Sequence, residues 1–283
     1  MMPAAKLRIP NTFRAFATLG CTLAAVVCAP QASAQVGDLL VAPTRVILDG
    51  RRGTEVILSN IGSEEATYRI GLELRRMSPQ GNLEDVEEAD ANEKEKAALA
   101  MIRYAPRRIT LPPGQPQAVR VAARPGAELP DGEYRVHMAF RAIPKARPVT
   151  EQADSGEGLK IQITPIYGVT IPIIVRYGRI GAQVAIEQPR IVNTPTGQQL
   201  SVRIDRSGES STYGEFRVLR QGSNEELFKV GGLAIYPEID SRDFTFPLTP
   251  EQAASLTGPL RFEYREMPAA GSGLIAAVDT VLG

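Results

Sequence analysis

The chain has 283 residues with 32 basic and 32 acidic side chains, one histidine and two cysteines. That balance carries no basic surplus to hold a polyanion, so nucleic acid is not the expected partner. Cys21 and Cys28 lie only seven residues apart near the N-terminus, and what surrounds them decides whether thiol chemistry is available at all.

Lys6, Arg8 and Arg14 open the chain as a positive region, a largely apolar run follows from Phe16 to Ala29, and Ala32-Ser33-Ala34 ends it. This is the pattern of a cleavable secretory signal peptide over residues 1–34, with the mature chain starting at Gln35. The run is shorter than the ~20 apolar residues that cross a bilayer, so no membrane span is expected in the mature protein. Both cysteines fall inside the leader, which removes disulfides, thiolate catalysis and cysteine metal sites from the mature chain. Without Lys6, Arg8 and Arg14, 29 basic side chains face 32 acidic ones, a net charge of −3.

Beyond the leader, side chains alternate with the period of two that marks half-buried strands. In Thr67–Leu74, Tyr68, Ile70, Leu72 and Leu74 point one way and Thr67, Arg69 and Glu73 the other. In Tyr134–Ala142, Tyr134, Val136, Met138 and Phe140 alternate with Arg135, His137 and Arg141; Leu200, Val202 and Ile204 repeat the pattern, as do Leu260, Phe262 and Tyr264. Turn residues punctuate these runs at Asp49-Gly50, Asn60-Ile61-Gly62, Pro112-Pro113-Gly114, Asp131-Gly132 and Ser207-Gly208. Many short strands at close intervals predict an all-β chain of sandwiches.

Two short helices are expected between strands. Asn92 caps a helix starting at Glu93, with Glu95 returning the capping-box bond. Thr249-Pro250-Glu251-Gln252 has a hydroxyl cap, proline at the first helical position and glutamine at the third, before Ala253–Leu256. The acidic stretch Glu84–Glu95 reads as a solvated insertion. Lys145 to Gly158 is polar and rich in Pro, Gly and charge, which predicts a long loop. Tyr177-Gly178-Arg179-Ile180-Gly181 is too poor in apolar residues for a strand, so domains are expected over 35–177 and 178–283.

Catalytic chemistry finds no foothold. His137 sits on the polar side of a regular strand with no nucleophile or metal co-ligand at a telling spacing, and is expected at the surface. No phosphate-cradling glycine loop, zinc-ligand spacing or nucleophile elbow is present, and no cofactor is expected. Glu87-Glu88 lie in a charged stretch where burial cannot shift a carboxylate's pKa. Two segments suit recognition instead. Leu159, Ile161 and Ile163 alternate with Lys160, Gln162 and Thr164; they form either an ordinary core strand or an edge strand whose unpaired backbone recruits an incoming one. Arg45, in Pro43-Thr44-Arg45-Val46-Ile47, either pairs at the surface with Asp49 or Glu55 or meets an anion from elsewhere.

Thr44-Arg45-Val46-Ile47 followed by Val56-Ile57-Leu58-Ser59-Asn60 resembles the first two strands of the periplasmic pilus-assembly chaperones. Ile109-Thr110-Leu111-Pro112-Pro113-Gly114-Gln115 resembles that family's turn before a strand, and Tyr134–Pro144 its penultimate strand of the first domain. Leu159, Ile161 and Ile163 fall where the family has its subunit-binding last strand. The likeness runs in order over most of residues 39–176; after that only size and strand-rich pattern match. It implies two immunoglobulin-like β-sandwich domains in a boomerang arrangement, in a periplasmic, non-enzymatic protein. Its expected partners are pilin-like fimbrial subunits, completed by a lent strand, and an outer-membrane usher; self-association through the exposed strand is also expected. By resemblance Arg45 anchors the subunit's terminal carboxylate. The family's second anchor is a lysine, and Pro172 occupies its position here, so either Lys160, Arg176 or Arg141 supplies the second charge or anchoring depends on Arg45 alone. The competing reading is a secreted structural or adhesion sandwich that is itself part of a surface assembly; a hydrolase with clustered carboxylates around His137 is a weaker third.

Overall fold

The computed structural model describes residues 39–144 and 166–282. The expected leader, the polar stretch Lys145 to Gly158 and the alternating segment with Leu159, Lys160, Ile161 and Ile163 lie outside the described residues. The chain is all-β, built as two immunoglobulin-like sandwiches. In order come β1 (Leu39–Ala42), β2 (Val46–Leu48), β3 (Thr54–Asn60), β4 (Ala66–Met77), β5 (Leu83–Val86), helix α1 (Glu93–Met101), β6 (Ile102–Ala105), β7 (Arg108–Leu111), β8 (Pro116–Ala123), β9 (Gly132–Ile143) and β10 (Gly168–Tyr177). One sheet runs β1-β3-β8-β6 and the other β2-β10-β9-β4-β5, with β7 also on β4. Between them Val56, Leu58, Val119, Val136, Met138, Phe140 and Ile173 are fully enclosed. These are the alternate residues of each strand, because period two sends one set of side chains to the core.

The second half follows as β11 (Ala182–Thr194), β12 (Gly197–Gly208), β13 (Thr212–Arg220), β14 (Glu226–Ile235), β15 (Ser241–Pro247), helix α2 (Pro250–Ser255), β16 (Gly258–Glu266) and β17 (Leu274–Leu282). Its sheets run β11-β12-β15 and β14-β13-β16-β17. Leu200, Val202, Ile204, Phe216, Phe262 and Tyr264 enclose a second core. Among the described residues no sheet mixes strands from before Tyr177 with strands from after Ala182. The two meet at Gly178, whose φ of +78° suits glycine; a Cβ there would overlap the Asp131 carboxylate. Asp131 in turn accepts the Arg179 N–H at 3.0 Å.

Both helix starts carry reciprocal capping boxes, Asn92 with Glu95 and Thr249 with Gln252. The acidic stretch departs from its reading as fully solvated. It contains β5, a 3-10 turn over Glu88–Asp90 and a buried Glu95. Glu95 is drawn inward because one carboxylate serves two donors: it closes the cap at the Asn92 N–H, 2.8 Å, and receives Arg76 Nη2 at 2.7 Å.

Candidate functional site

Sheet register brings Arg45, Pro172, His137 and Glu73 level with one another across β2, β10, β9 and β4. β2 runs parallel to β10 with Val46 opposite Ile173, so Arg45, one residue earlier, is level with Pro172. Pro172 is opposite His137 on β9, and His137 is opposite Glu73 on β4. Two residues along, Ile174 is opposite Arg135. Residues two apart share a face, and the alternate face of β9, with Tyr134, Val136, Met138 and Phe140, belongs to the first core. The row therefore faces away from that core, toward the second sandwich.

The second sandwich covers it. Arg135 is 8% exposed; its Nη2 donates to Glu238 Oε1 at 2.6 Å and to the Arg75 carbonyl at 2.9 Å. Its guanidinium carbon lies 3.6 Å from the centre of the Tyr236 ring, close enough for cation–π attraction. Ile174 and Met77 pack with the second core rather than the first. This corrects the expectation that Arg135 and His137 lie on a solvated surface. Alternation named their side of the strand rightly, but that side is buried by residues a hundred positions away.

Arg45 reaches across the same junction. Nη1 donates to the Tyr236 hydroxyl and Nη2 to Ser211 Oγ, each at 3.0 Å. Its guanidinium carbon is 4.7 Å from the centre of the Tyr213 ring and 5.3 Å from that of Tyr236. Nε is buried with no acceptor among the described residues. Neither local acid takes it: Asp49 Oδ1 accepts the N–H groups of Arg51 and Arg52, and Glu55 pairs with Arg120 at 3.3 Å. Those backbone bonds hold the Asp49 carboxyl below the usual carboxylate range. Among the described residues no carboxylate pairs with Arg45.

Arg176 stands differently. Its Nε is 3.3 Å from Glu133 Oε2, a carboxylate with a 1% exposed side chain, and its Nη2 donates to the Ser211 carbonyl at 3.0 Å. The same Oε2 accepts the Ser211 N–H at 2.9 Å and the Ser211 hydroxyl at 2.8 Å. Ser211 thus joins Arg45 to Glu133 and Arg176, and the charge of Arg176 is matched within the chain. Arg141 lies further along β9 and pairs with Glu73 at 2.6 Å. Of the predicted partner-binding residues, Arg45 and Arg176 meet through Ser211, while Leu159, Lys160, Ile161 and Ile163 are outside the described residues. Ser211, Tyr213, Tyr236, Glu133 and Arg135 escaped the sequence reading; nothing in their local spacing ties them to Arg45.

His137 is 2% exposed, and among the described residues neither ring nitrogen has a partner. Burial first, then the positive charges of Arg135, Arg75 and Arg45, push its pKa down to about 3 from an ordinary 6.5. Glu73, level with it on β4, is engaged by Arg75 and Arg141. The folded ring stays neutral while the unfolded chain takes up a proton below pH 6.5. Stability from this residue is therefore complete above pH 6.5 and lost as pH falls toward 3, at roughly 1.4 kcal/mol per pH unit. Urea unfolding at pH 7 and pH 4.5 is expected to show a larger acid loss for the unmodified protein than for His137→Gln. Equal losses would mean that the ring is solvated.

No family model matches the chain, and no curated protein matches it. Solved structures do. The YadV chaperone is 12% identical, with 86% of this chain and 100% of that chain covered and a TM-score of 0.47. A chain of the CsuC–CsuE chaperone–tip adhesion subunit pre-assembly complex, from Acinetobacter baumannii, is 13% identical over 86% and 97%, with a TM-score of 0.44. The Salmonella enterica SafA pilin–SafB chaperone complex gives 14% over 88% and 98%, with a TM-score of 0.43. Each of these structures contains a chaperone, alone or with a tip adhesion subunit or pilin.

Proposed function

We propose that this protein is a non-catalytic periplasmic chaperone that binds pilin-like subunits, lends them a β-strand and passes them to an outer-membrane usher. The sandwich of residues 35–177 supplies the binding surface and that of 178–283 closes over its polar row. The observation that carries this reading is Arg45, a half-buried guanidinium at the junction of two sandwiches with no carboxylate of its own among the described residues. A cation held on two hydroxyls and two aromatic faces, with one buried N–H unused, is prepared for an acceptor that arrives with a partner. The ordered chaperone-like segments over residues 39–176 support the same reading.

In this reading Leu159, Ile161 and Ile163 are the lent strand, inserted into a subunit whose own fold lacks one. Lys160 and Arg176 flank the bound subunit; the charge of Arg176 is already matched by Glu133, which makes it a support for Ser211 more than a free anchor. The test is co-expression with a secreted pilin-like subunit, reading the amount of intact subunit that accumulates. Accumulation that depends on this protein supports the chaperone reading. Equal amounts with and without it, together with recovery of the protein in homopolymers outside the cell, would favour a structural component of a surface assembly.

A further inference from the structure

β12 sends Leu200, Val202 and Ile204 into the second core, and the next residue of that alternation is Arg206. An aliphatic side chain there would extend the core. The arginine is buried with its charge instead: its side chain is 2% exposed, and Asp240, 3.9 Å away, is 96% exposed. Backbone carbonyls meet that charge. Nη1 donates to Gly208 at 2.6 Å and to Ser210 at 3.1 Å. Nε and Nη2 both reach the Ile239 carbonyl at 3.3 Å, and Nη2 also that of Pro237 at 3.4 Å. A guanidinium is a rigid planar fork of N–H donors, so one side chain holds the loop 208–211, between β12 and β13, against the loop 236–240, between β14 and β15.

Those two loops carry four residues that hold the first sandwich. Ser211 bonds Arg45 and Glu133, and Tyr236 bonds Arg45 and lies beneath the Arg135 guanidinium. Glu238 pairs with Arg135, and Glu209 pairs with Lys94 at 2.7 Å. Each of the four is the chain neighbour of a carbonyl that Arg206 holds. We infer that Arg206 is a positioning residue for the junction: by fixing those carbonyls it sets how the second sandwich sits on the first, and with it the surface offered to a subunit. The first step stands on the geometry; the second rests on the chaperone reading. The core alone gives no reason for a cation at this position, because burying a charge carries a desolvation cost that an aliphatic side chain avoids. What arginine adds is reach to both loops.

The chain's one histidine reports on the junction, because His137 is buried there. In the protein without a histidine tag, its imidazole signals are expected to stay silent between about pH 5 and 8, where an ordinary histidine titrates. Arg206→Met keeps an extended side chain but loses the fork. Its imidazole is expected to titrate with a pKa moved from about 3 toward the ordinary 6.5, while the methyl signals of Leu200, Val202 and Ile204 show the second core intact. Capture of a co-expressed pilin-like subunit should fall about tenfold, within the range of ordinary coupling between distant sites. Arg206→Lys, which keeps the charge and part of the reach, guards against a methionine variant that does not fold, and should release the imidazole in part. Release with weakened capture supports both steps. A folded variant of either kind whose imidazole stays silent, whatever its capture, would mean that Arg206 serves its own loops only, and overturns the inference. Release with unchanged capture keeps Arg206 as the residue that places the sandwiches and overturns its link to the subunit.

Discussion

Arg45→Ala is expected to lower affinity for a subunit by about a hundredfold to several thousandfold. If the guanidinium meets the partner's carboxylate in the closed junction, its removal leaves that carboxylate desolvated and unpaired, a loss on the order of 3–5 kcal/mol. The fold should lose stability too, through contacts of its own. Within the chain Arg45 gives one hydrogen bond each to the hydroxyls of Tyr236 and Ser211, and bonds with one charged partner contribute about 1.5–3 kcal/mol net apiece. Arg45→Lys keeps the charge but not the two-pronged donor, so it should retain only part of the affinity. Titration calorimetry against the subunit, with urea unfolding alongside, separates the two effects. An unchanged affinity with lowered stability would make Arg45 a tie between the sandwiches and nothing more.

The pair Ile161→Ala and Ile163→Ala is the second large effect. Fully buried aliphatic side chains contribute roughly 1.5–3 kcal/mol each, so stripping both from a lent strand should weaken capture by at least about a hundredfold. The two readings of this segment part company in the free protein. A strand that serves a partner leaves the unfolding curve of the free chain almost unmoved when trimmed. A strand of the chain's own core loses about 2–5 kcal/mol per truncation. Lost capture with unchanged unfolding selects strand lending; lost stability with normal capture by the remaining folded protein selects the core strand.

The strands and helix caps were legible because their causes are local. Alternation in Tyr134–Phe140 marks which side chains enter the first core, and Asn92 with Glu95 needs only four residues to state its geometry. The fate of the opposite face was not legible. Arg135 and His137 alternate like any solvated pair, and their burial is made by the second sandwich, with Tyr236 and Glu238 closing on Arg135. Arg45 shows the same limit from the other side. Its motif raised an anion as one of two readings, yet its hydroxyl partners lie 166 and 191 positions away. Glu95 was misplaced because its reading stopped at charge density, while Arg76, on a neighbouring strand, supplied the reason to bury it. Pro172 was visible as a departure from the chaperone pattern; that its cross-strand neighbour is the chain's one histidine depends on register, which no run of sequence contains.

The most direct measurement of strand lending is backbone hydrogen exchange over residues 159–163, in the free protein and in a complex captured with a co-expressed subunit. Rapid exchange is expected in the free protein and strong protection in a complex of equal stoichiometry, with alternate side chains buried against the subunit. Protection that is already complete in the free chain, or exchange unchanged in the complex, would contradict it.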